Sequence, residues 1–289
     1  MSYFQAIVIG VLQGVTELFP VSSLGHSVLV PGWFGWGTLV GGQSADESFY
    51  LAFLVGLHLA TAVALLFHYR RDWAELIRAF FRSARRRRVD DANERMAWLL
   101  ILATIPVGVV GLVFEHSLRT LFAKPLAAAI FLTINGVILL GGEVLRRRQA
   151  AAHVAGTTEG SGRSLESLTV RDGLSIGSAE ILALFAGISR SGVTMVAGLL
   201  RGLDHEHAAR FSFMLATPVI LAAGVYKLHD LLGPNGDGLH GQIIVGSIVA
   251  GLAAYGAVRF LERFFRSNTL TPFAIYCLVA GAASIVRFA

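Results

Sequence analysis

Long apolar runs separated by short polar segments dominate the pattern of hydrophobic and polar positions along the chain. There are eight such runs, at residues 3–19, 49–68, 97–114, 125–144, 173–188, 210–228, 241–258 and 271–288. A helix that crosses the hydrocarbon core of a bilayer needs about 20 apolar residues. Six of the runs therefore predict transmembrane helices, and the chain is predicted to be an all-α polytopic membrane protein.

The first and fifth runs differ from the other six, because each ends in a polar break followed by a second apolar stretch. The breaks are rich in serine and glycine and occupy residues 20–26 and 187–192, ahead of the apolar stretches 27–34 and 193–200. Irregular backbone at membrane depth is tolerated only where protein or a watery cavity satisfies its polar groups. The pattern predicts two re-entrant helical hairpins.

Composition supports this class. Hydrophobic residues make up 54% of the 289 residues and charged residues 15%, against roughly 25% charged residues in soluble domains. A disordered chain is excluded, and a water-soluble enzyme is disfavoured. The only cysteine, Cys277, excludes an intrachain disulfide and a cysteine-rich metal site. The first apolar run lacks a basic segment before it and contains Gln13 and Glu17, which argues against a cleavable signal peptide.

The net charge of +5 is a topology signal rather than evidence for a nucleic-acid partner. Nineteen of the 24 Lys and Arg residues lie in four segments, 69–96, 145–172, 201–210 and 259–270. Six spans and two hairpins place all four segments on one side, which the positive-inside rule assigns to the cytoplasm, with both termini outside. Eight simple spans would place 145–172 and 259–270 on opposite sides.

The two hairpins resemble each other in sequence. Residues 10–13 can be laid on 177–180, and residues 59–61 match 215–217 early in two spans. A hairpin plus three spans in each half gives an inverted-topology repeat. We predict a single integral membrane domain over 1–289, with repeat 1 at about 1–148, a flexible loop at about 149–168 and repeat 2 at about 169–289.

Ionisable side chains within membrane segments are costly and usually functional. The clearest are Glu17, His26, Glu180 and Arg190, and all four lie in the hairpins. Glu17 suits a general base or a metal ligand, His26 a proton carrier, and Ser23 a nucleophile activated by a neighbouring base. Arg190 offers a planar cation suited to phosphate oxygens.

Structural roles remain open for each of these residues. Glu17 could be a protonated structural carboxyl group, and Ser22 or Ser23 could only cap a helix. His26 could simply bond a carbonyl group. Arg190 could be a counter-ion to Glu17 or Glu180, and Glu180 could serve hairpin packing.

Two half-helix N-termini that meet in the membrane would form an anion site, because their free N–H groups and dipoles favour phosphate. Catalytic candidates are Glu17, Ser23, His26 and Arg190. Candidates for direct phosphate binding are Gln13, Ser22, Gly187, Ser189, Ser191, Gly192 and Thr194. Glu17 is the best candidate for a metal ligand.

Two long motifs carry a family resemblance. Residues 13–26 (QGVTELFPVSSLGH) and 186–194 (AGISRSGVT) resemble the undecaprenyl-diphosphate phosphatase family, also called the bacitracin-resistance family. The resemblance extends over nearly the whole chain. It also includes the shorter motifs Ile105-Pro106, Phe211-Ser-Phe213 and Pro272-Phe-Ala-Ile-Tyr276.

The resemblance implies an enzyme of the bacterial cytoplasmic membrane that hydrolyses undecaprenyl diphosphate to undecaprenyl phosphate and inorganic phosphate. This recycles the lipid carrier for peptidoglycan synthesis. It implies a site facing the outer side, a divalent cation (Mg or Ca) and no organic cofactor. The family's essential residues fall on Glu17, Ser23, His26 and Arg190. Expected partners are the polyprenyl diphosphate and membrane lipids; a homodimer stays open.

The chain departs from the family pattern at four positions. Gln13 occupies a position where the family allows Glu or Gln, Ala186 replaces the usual proline, and Leu54 stands where a glutamine is expected. His58 is also atypical. These departures bear on metal geometry and substrate preference.

A rival hypothesis is a transporter or flippase of undecaprenyl phosphate or another lipid phosphate. Inverted repeats and broken helices are the architecture of many secondary transporters. Ser23 together with Glu17 and His26 favours hydrolysis, because binding alone requires neither a nucleophile nor a base. The sequence does not choose between attack by Ser23 and attack by water.

Overall fold

The computed structural model describes residues 1–40, 49–122, 124–154, 163–227 and 240–289. Its α-helices are α1 (Tyr3–Thr16), α2 (Ser23–Trp33), α3 (Gly37–Val40), α4 (Phe49–His68), α5 (Arg70–Arg86), α6 (Ala92–Phe122), α7 (Pro125–Val154), α8 (Val170–Ala179), α9 (Arg190–Leu200), α10 (His205–Tyr226), α11 (His240–Phe264) and α12 (Thr271–Phe288). Two 3₁₀ helices, Leu165–Ser167 and Glu180–Leu184, complete the described elements.

Six of the described helices are long and apolar enough to cross a membrane, which confirms the six predicted spans. They are α4, the first 23 residues of α6, the first 25 of α7, and α10, α11 and α12. Within the predicted loop 149–168, α7 continues to Val154 and a 3₁₀ helix begins at Leu165. Residues 155–162 of that loop lie outside the described residues.

The helices at the two polar breaks are short. α1 and α2 have 14 and 11 residues, and α8 and α9 have 10 and 11. Each is shorter than the about 20 residues that a crossing needs. This geometry is compatible with two re-entrant hairpins, α1–α2 and α8–α9.

Helix packing follows the symmetry that two inverted repeats would have. α1 packs on α11 and α8 packs on α6, while α4 pairs with α10 and α7 with α12. Gly10 and Gly177, which the sequence alignment equates, occupy equivalent contacts. A Cβ atom at either position would overlap a backbone oxygen of the partner helix, that of Gly246 or Ala103. Glycine thus allows the first helix of each hairpin to approach its neighbour.

Candidate active site

The two hairpin breaks contact each other directly. Ser22 Oγ caps α2 by accepting a hydrogen bond from Gly25 N at 3.2 Å, and it also accepts one from Gly187 N at 3.1 Å. The φ angles of Ser22 and Gly187 are 70° and 112°, in the left-handed region that glycine adopts readily and serine rarely. The strained serine at the first break thus holds the glycine of the second.

Asn135 of α7 links the two breaks a second time. Its Nδ2 donates to the Pro20 carbonyl oxygen at 3.0 Å, and its Oδ1 accepts from Ser189 N at 3.0 Å. The residue is fully buried. The sequence analysis missed it, although an asparagine inside an apolar run is a signal that could have found it.

Glu17 lies at the centre of a polar cluster. Its Oε2 accepts hydrogen bonds from Ser23 Oγ at 2.6 Å and from Gln13 Nε2 at 3.0 Å. Its Oε1 accepts one from Arg190 Nη2 at 3.3 Å. The structure therefore brings together the predicted base, nucleophile and cation, which come from α1, α2 and α9. A hydroxyl and a carboxylate within about 2.6–3.2 Å have the geometry of a nucleophile–base pair.

Arg190 is the first residue of α9, and local sequence fixes it there. Ser189 caps the helix, since its Oγ accepts from Gly192 N at 3.2 Å. The guanidinium group lies between two carboxylates, with Nη2 3.3 Å from Glu17 Oε1 and Nη1 3.9 Å from Glu180 Oε1. Arg190 can thus serve as a counter-ion to these carboxylates and also bind phosphate.

These side chains border a cavity of about 290 Å³. Glu17, Ser23, Glu180 and Arg190 form its polar end, while most of the remaining wall is apolar. The wall includes the first half of α4 and the last two turns of α10. The basic segment 69–96 follows the opposite end of α4, so the cavity lies toward the side of the spans away from that segment.

His26 is not on the cavity wall. Its Nδ1 lies 2.7 Å from the Ser22 carbonyl oxygen, which can only accept, so Nδ1 donates. Its Nε2 lies 2.7 Å from the Tyr276 hydroxyl group, with the two rings stacked. Because His26 contacts Tyr276 rather than the cavity, its catalytic role stays a prediction. Tyr276 belongs to α12, so residue spacing within the hairpin did not reveal this contact.

The predicted phosphate-binding residues divide into two groups. Ser22 and Ser189 reach the cavity wall. The others lie behind the wall, and the hydroxyl groups among them have protein partners: Ser191 Oγ donates to the Phe19 carbonyl oxygen at 3.2 Å, and Thr194 Oγ1 pairs with Ser212 Oγ at 2.6 Å. Gly187 and Ser191 lie in the contact between the hairpins, where they bond Ser22 and the Phe19 carbonyl oxygen. Direct phosphate binding by Gln13, Gly187, Ser191, Gly192 and Thr194 stays a prediction.

The site contains oxygen atoms of the kind that bind a divalent cation. Gln13 Oε1 and both Glu180 carboxylate oxygens are buried and have no hydrogen-bond partner in the described structure. Within the described ranges, no group of three or more His, Cys, Asp or Glu residues could hold a metal alone. Mg²⁺ is commonly bound by one or two carboxylates plus substrate phosphates. Glu17 and Glu180 fit a cation of that kind.

Residues 6–283 match the family model of bacitracin resistance protein BacA. The chain belongs to this family. The BacA match runs from within α1 to within α12, so every residue of the cavity lies inside it.

Curated relatives match the chain over nearly its whole length. A protein of Frankia alni named undecaprenyl-diphosphatase 2 is 54% identical, with 100% of this chain and 98% of that protein covered. An undecaprenyl-diphosphatase of Mycolicibacterium paratuberculosis is 55% identical over the same shares. A further undecaprenyl-diphosphatase 2, from Chromobacterium violaceum, is 40% identical over 99% of both chains.

Two departures from the BacA pattern, Leu54 and His58, lie on the cavity wall. His58, one turn after Leu54, approaches Glu17 with Nε2 3.4 Å from Oε2, while its Nδ1 lies 2.8 Å from the Leu54 carbonyl oxygen. The sequence analysis noted His58 as atypical without placing it in the site. Its distance of 41 residues from Glu17 along the chain explains why spacing did not connect the two.

Since His58 Nδ1 donates to the Leu54 carbonyl oxygen, Nε2 can donate to Glu17 only from the protonated ring, and the contact is then an ion pair. Replacing His58 with leucine should lower kcat of the hydrolysis proposed below by about tenfold through the loss of this charged contact. Glutamine should retain part of the activity, because its amide group can still donate to Glu17 although it carries no charge. The matched control is His68→Leu on the same helix, whose partner Glu262 lies 2.9 Å away outside the cavity. Steady-state phosphate release measures all three. Equal losses for the leucine and glutamine variants at position 58 would contradict this role.

Proposed function

We propose that the protein hydrolyses undecaprenyl diphosphate to undecaprenyl phosphate and inorganic phosphate. The observation that carries this is the contact of Ser23 and Arg190 with one carboxylate, Glu17, at the end of a largely apolar cavity. The polar end suits a diphosphate and the apolar walls suit a lipid. The names of the curated relatives support the same reaction.

In the proposed reaction, an oxygen nucleophile attacks the terminal phosphorus and the bond to the bridging oxygen breaks. The electron pair of that bond leaves with undecaprenyl phosphate. Glu17 accepts the proton of the nucleophile, which is either Ser23 Oγ or a water molecule in the same position. Arg190 binds the phosphoryl oxygens as negative charge redistributes on them. If Ser23 attacks, water must later hydrolyse a phosphoserine and release phosphate.

A divalent cation would be held by Glu17 and Glu180. When bound, it would neutralise phosphate charge that Arg190 alone cannot balance. Arg190 would keep the two carboxylates apart and orient the diphosphate from the N-terminus of α9.

The lipid tail would follow a second cavity of about 480 Å³, which is almost entirely apolar and lies between α6 and α10. The two cavities share wall residues, among them Val107, Leu184 and Val219. We propose that the two cavities form one path from the polar cluster to the lateral surface of the spans. This suits a substrate that enters from the bilayer.

Replacing Gly111 with leucine should obstruct this path. A Cβ atom there would meet only Leu184 Cδ2 at 3.7 Å, so the helix itself can accept the side chain. We expect KM for undecaprenyl diphosphate to rise about tenfold while a short-chain prenyl diphosphate is unaffected, because each buried CH₂ contributes about 0.8 kcal/mol. Gly256→Leu, at an equally open position on α11, is the control. An equal rise in KM for both chain lengths would refute the tail path.

The chain is a multi-pass protein of the bacterial membrane by its six apolar helices and its family. We propose that the basic segments face the cytoplasm and the cavity faces the outer side, as the positive-inside rule requires. A cysteine placed at Lys227, on the cavity wall, should then react with an impermeant thiol reagent in intact cells.

The deciding experiment measures phosphate release from undecaprenyl diphosphate by the purified protein, with and without a chelator. Release that requires protein and is lost in the Glu17→Gln variant supports the proposal.

A flip assay in liposomes with a non-hydrolysable diphosphate analogue tests the transporter alternative. Flipping of the analogue, together with no phosphate release from undecaprenyl diphosphate itself, would overturn the hydrolase assignment. Acid-quenched reactions that retain phosphate on wild type but not on Ser23→Ala would identify Ser23 as the nucleophile.

A further inference from the structure

Helix α5 (Arg70–Arg86) has a face that no other described element covers. It joins spans α4 and α6 and folds back on the first turns of α6. Leu76, Ala79 and Ser83 form its buried face, and Ser83 Oγ accepts a hydrogen bond from Trp98 Nε1 at 3.0 Å. These contacts fix which sides of the helix stay exposed.

An apolar stripe is exposed beside the buried face. Ile77 and Phe81, four residues apart, are 50% and 66% exposed. Next to them is an apolar hollow of about 160 Å³, whose wall includes Ile101 of α6 and Pro218 of α10. Since both of those residues belong to predicted spans, the stripe lies at the depth of lipid acyl chains.

A basic row flanks this stripe. Arg71, Arg78 and Arg85 are exposed, and none of them has an ion-pair partner in the part of the chain that the structure describes. By contrast, Arg82 and Arg86 share the carboxylate of Glu94. The helix therefore has cations near its C-terminus that Glu94 neutralises, and a separate row of arginines that form no ion pair in the described structure.

Residues four and three apart on a helix lie on one side, so the basic row borders the apolar stripe along the helix. Such a surface suits the membrane interface, where acyl chains meet phosphate groups. Its apolar side chains can lie in the bilayer while its arginines contact the headgroups. The excess of positive charge favours headgroups with a net negative charge over zwitterionic ones.

We propose that α5 is a docking surface for anionic phospholipids of the leaflet that contains the basic segments. Ile77 and Phe81 insert among the acyl chains, and Arg71, Arg78 and Arg85 bind the headgroup phosphates. The proposal does not depend on the hydrolase activity, because neither the stripe nor the row borders the catalytic cavity.

The test compares lipid retention by the full-length protein in nanodiscs of phosphatidylcholine and phosphatidylglycerol in equal parts. After release into detergent, native mass spectrometry counts each lipid that remains bound. We expect wild type to retain phosphatidylglycerol preferentially, and the double variant R78Q/R85Q to lose that preference by roughly tenfold. R147Q/R148Q, at exposed arginines of α7, is the control and should behave like wild type.

Three results would overturn the proposal. The first is equal retention of both lipids by wild type, and the second is equal losses in R78Q/R85Q and R147Q/R148Q. The third is a phosphatidylglycerol preference that persists in R78Q/R85Q, because the lipid would then bind elsewhere. The circular dichroism spectrum and monodispersity of each variant establish that it is folded. F81S provides an independent variant, which should weaken retention of both lipids without changing the preference for charge.

Discussion

The Glu17→Gln variant should lose phosphate release by about a thousandfold, within the range that a positioned general base contributes. The variant keeps the size and planarity of the side chain, and its amide oxygen can still accept from Ser23 or Arg190. It loses the negative charge and the ability to accept a proton from the nucleophile. Because Glu17 lies between α1, α2 and α9 and is buried, a near-isosteric change separates chemistry from folding.

The matched control for this variant is Glu262→Gln. Glu262 of α11 also accepts from a hydroxyl group and a histidine, Tyr69 at 2.8 Å and His68 at 2.9 Å, but it lies outside the cavity. It should retain nearly full turnover. Single-turnover phosphate release at saturating substrate measures both variants, and thermal melting in detergent reports their folding. A Glu17→Gln protein that melts like wild type and still turns over at the wild-type rate would remove Glu17 from the reaction.

The six spans could be predicted from sequence because membrane helices have a strong local signal. A bilayer-crossing helix must satisfy its own backbone hydrogen bonds and present about 20 apolar residues, so each span is determined by its own stretch of sequence. The end of α7 was less predictable. Arg146 to His153 are polar or small residues with good helix propensity, and the helix continues through them to Val154 beyond the apolar run.

The site could be predicted only where its contacts are local. Gln13 and Glu17 are four residues apart on α1, and their hydrogen bond follows from helical periodicity. The contact between Glu17 and Arg190 spans 173 positions; the inverted repeat suggested it by bringing the two breaks together. Asn135 and His58 belong to spans whose rotation about their own axes depends on packing. No periodicity within the hairpins could have placed them at the site.

His26 illustrates the converse. Its spacing from Ser23 would allow both side chains on one face of α2, yet the structure directs its ring to Tyr276 of α12. The direction of a side chain at a helix N-terminus depends on which neighbour offers a hydrogen-bond partner. The direction of this side chain therefore depends on the tertiary structure and not on the local sequence.

Arg190→Lys should lower kcat/KM by roughly a hundredfold, and Arg190→Ala by more. Lysine keeps the charge but replaces a planar fork with a single point of contact, and it cannot bind two phosphate oxygens with the same geometry. In the wild type, Nη1 and Nη2 face different carboxylates, Glu180 and Glu17. Only a group with two separated donors can occupy that position, so the loss should appear in both KM and kcat.

The alanine variant allows a sharper test, because it leaves two carboxylates in the cavity without their cation. Their repulsion of the diphosphate should add to the lost attraction. With a chelator present, so that no divalent cation balances the carboxylates, removing one charge in Arg190→Ala/Glu180→Gln should therefore strengthen binding of the diphosphate relative to Arg190→Ala alone. Arg201→Lys, an exposed arginine 3.7 Å from Asp172 outside the cavity, is the control. If the double variant binds the substrate no better than Arg190→Ala, then Arg190 does not act by balancing the charge of these carboxylates.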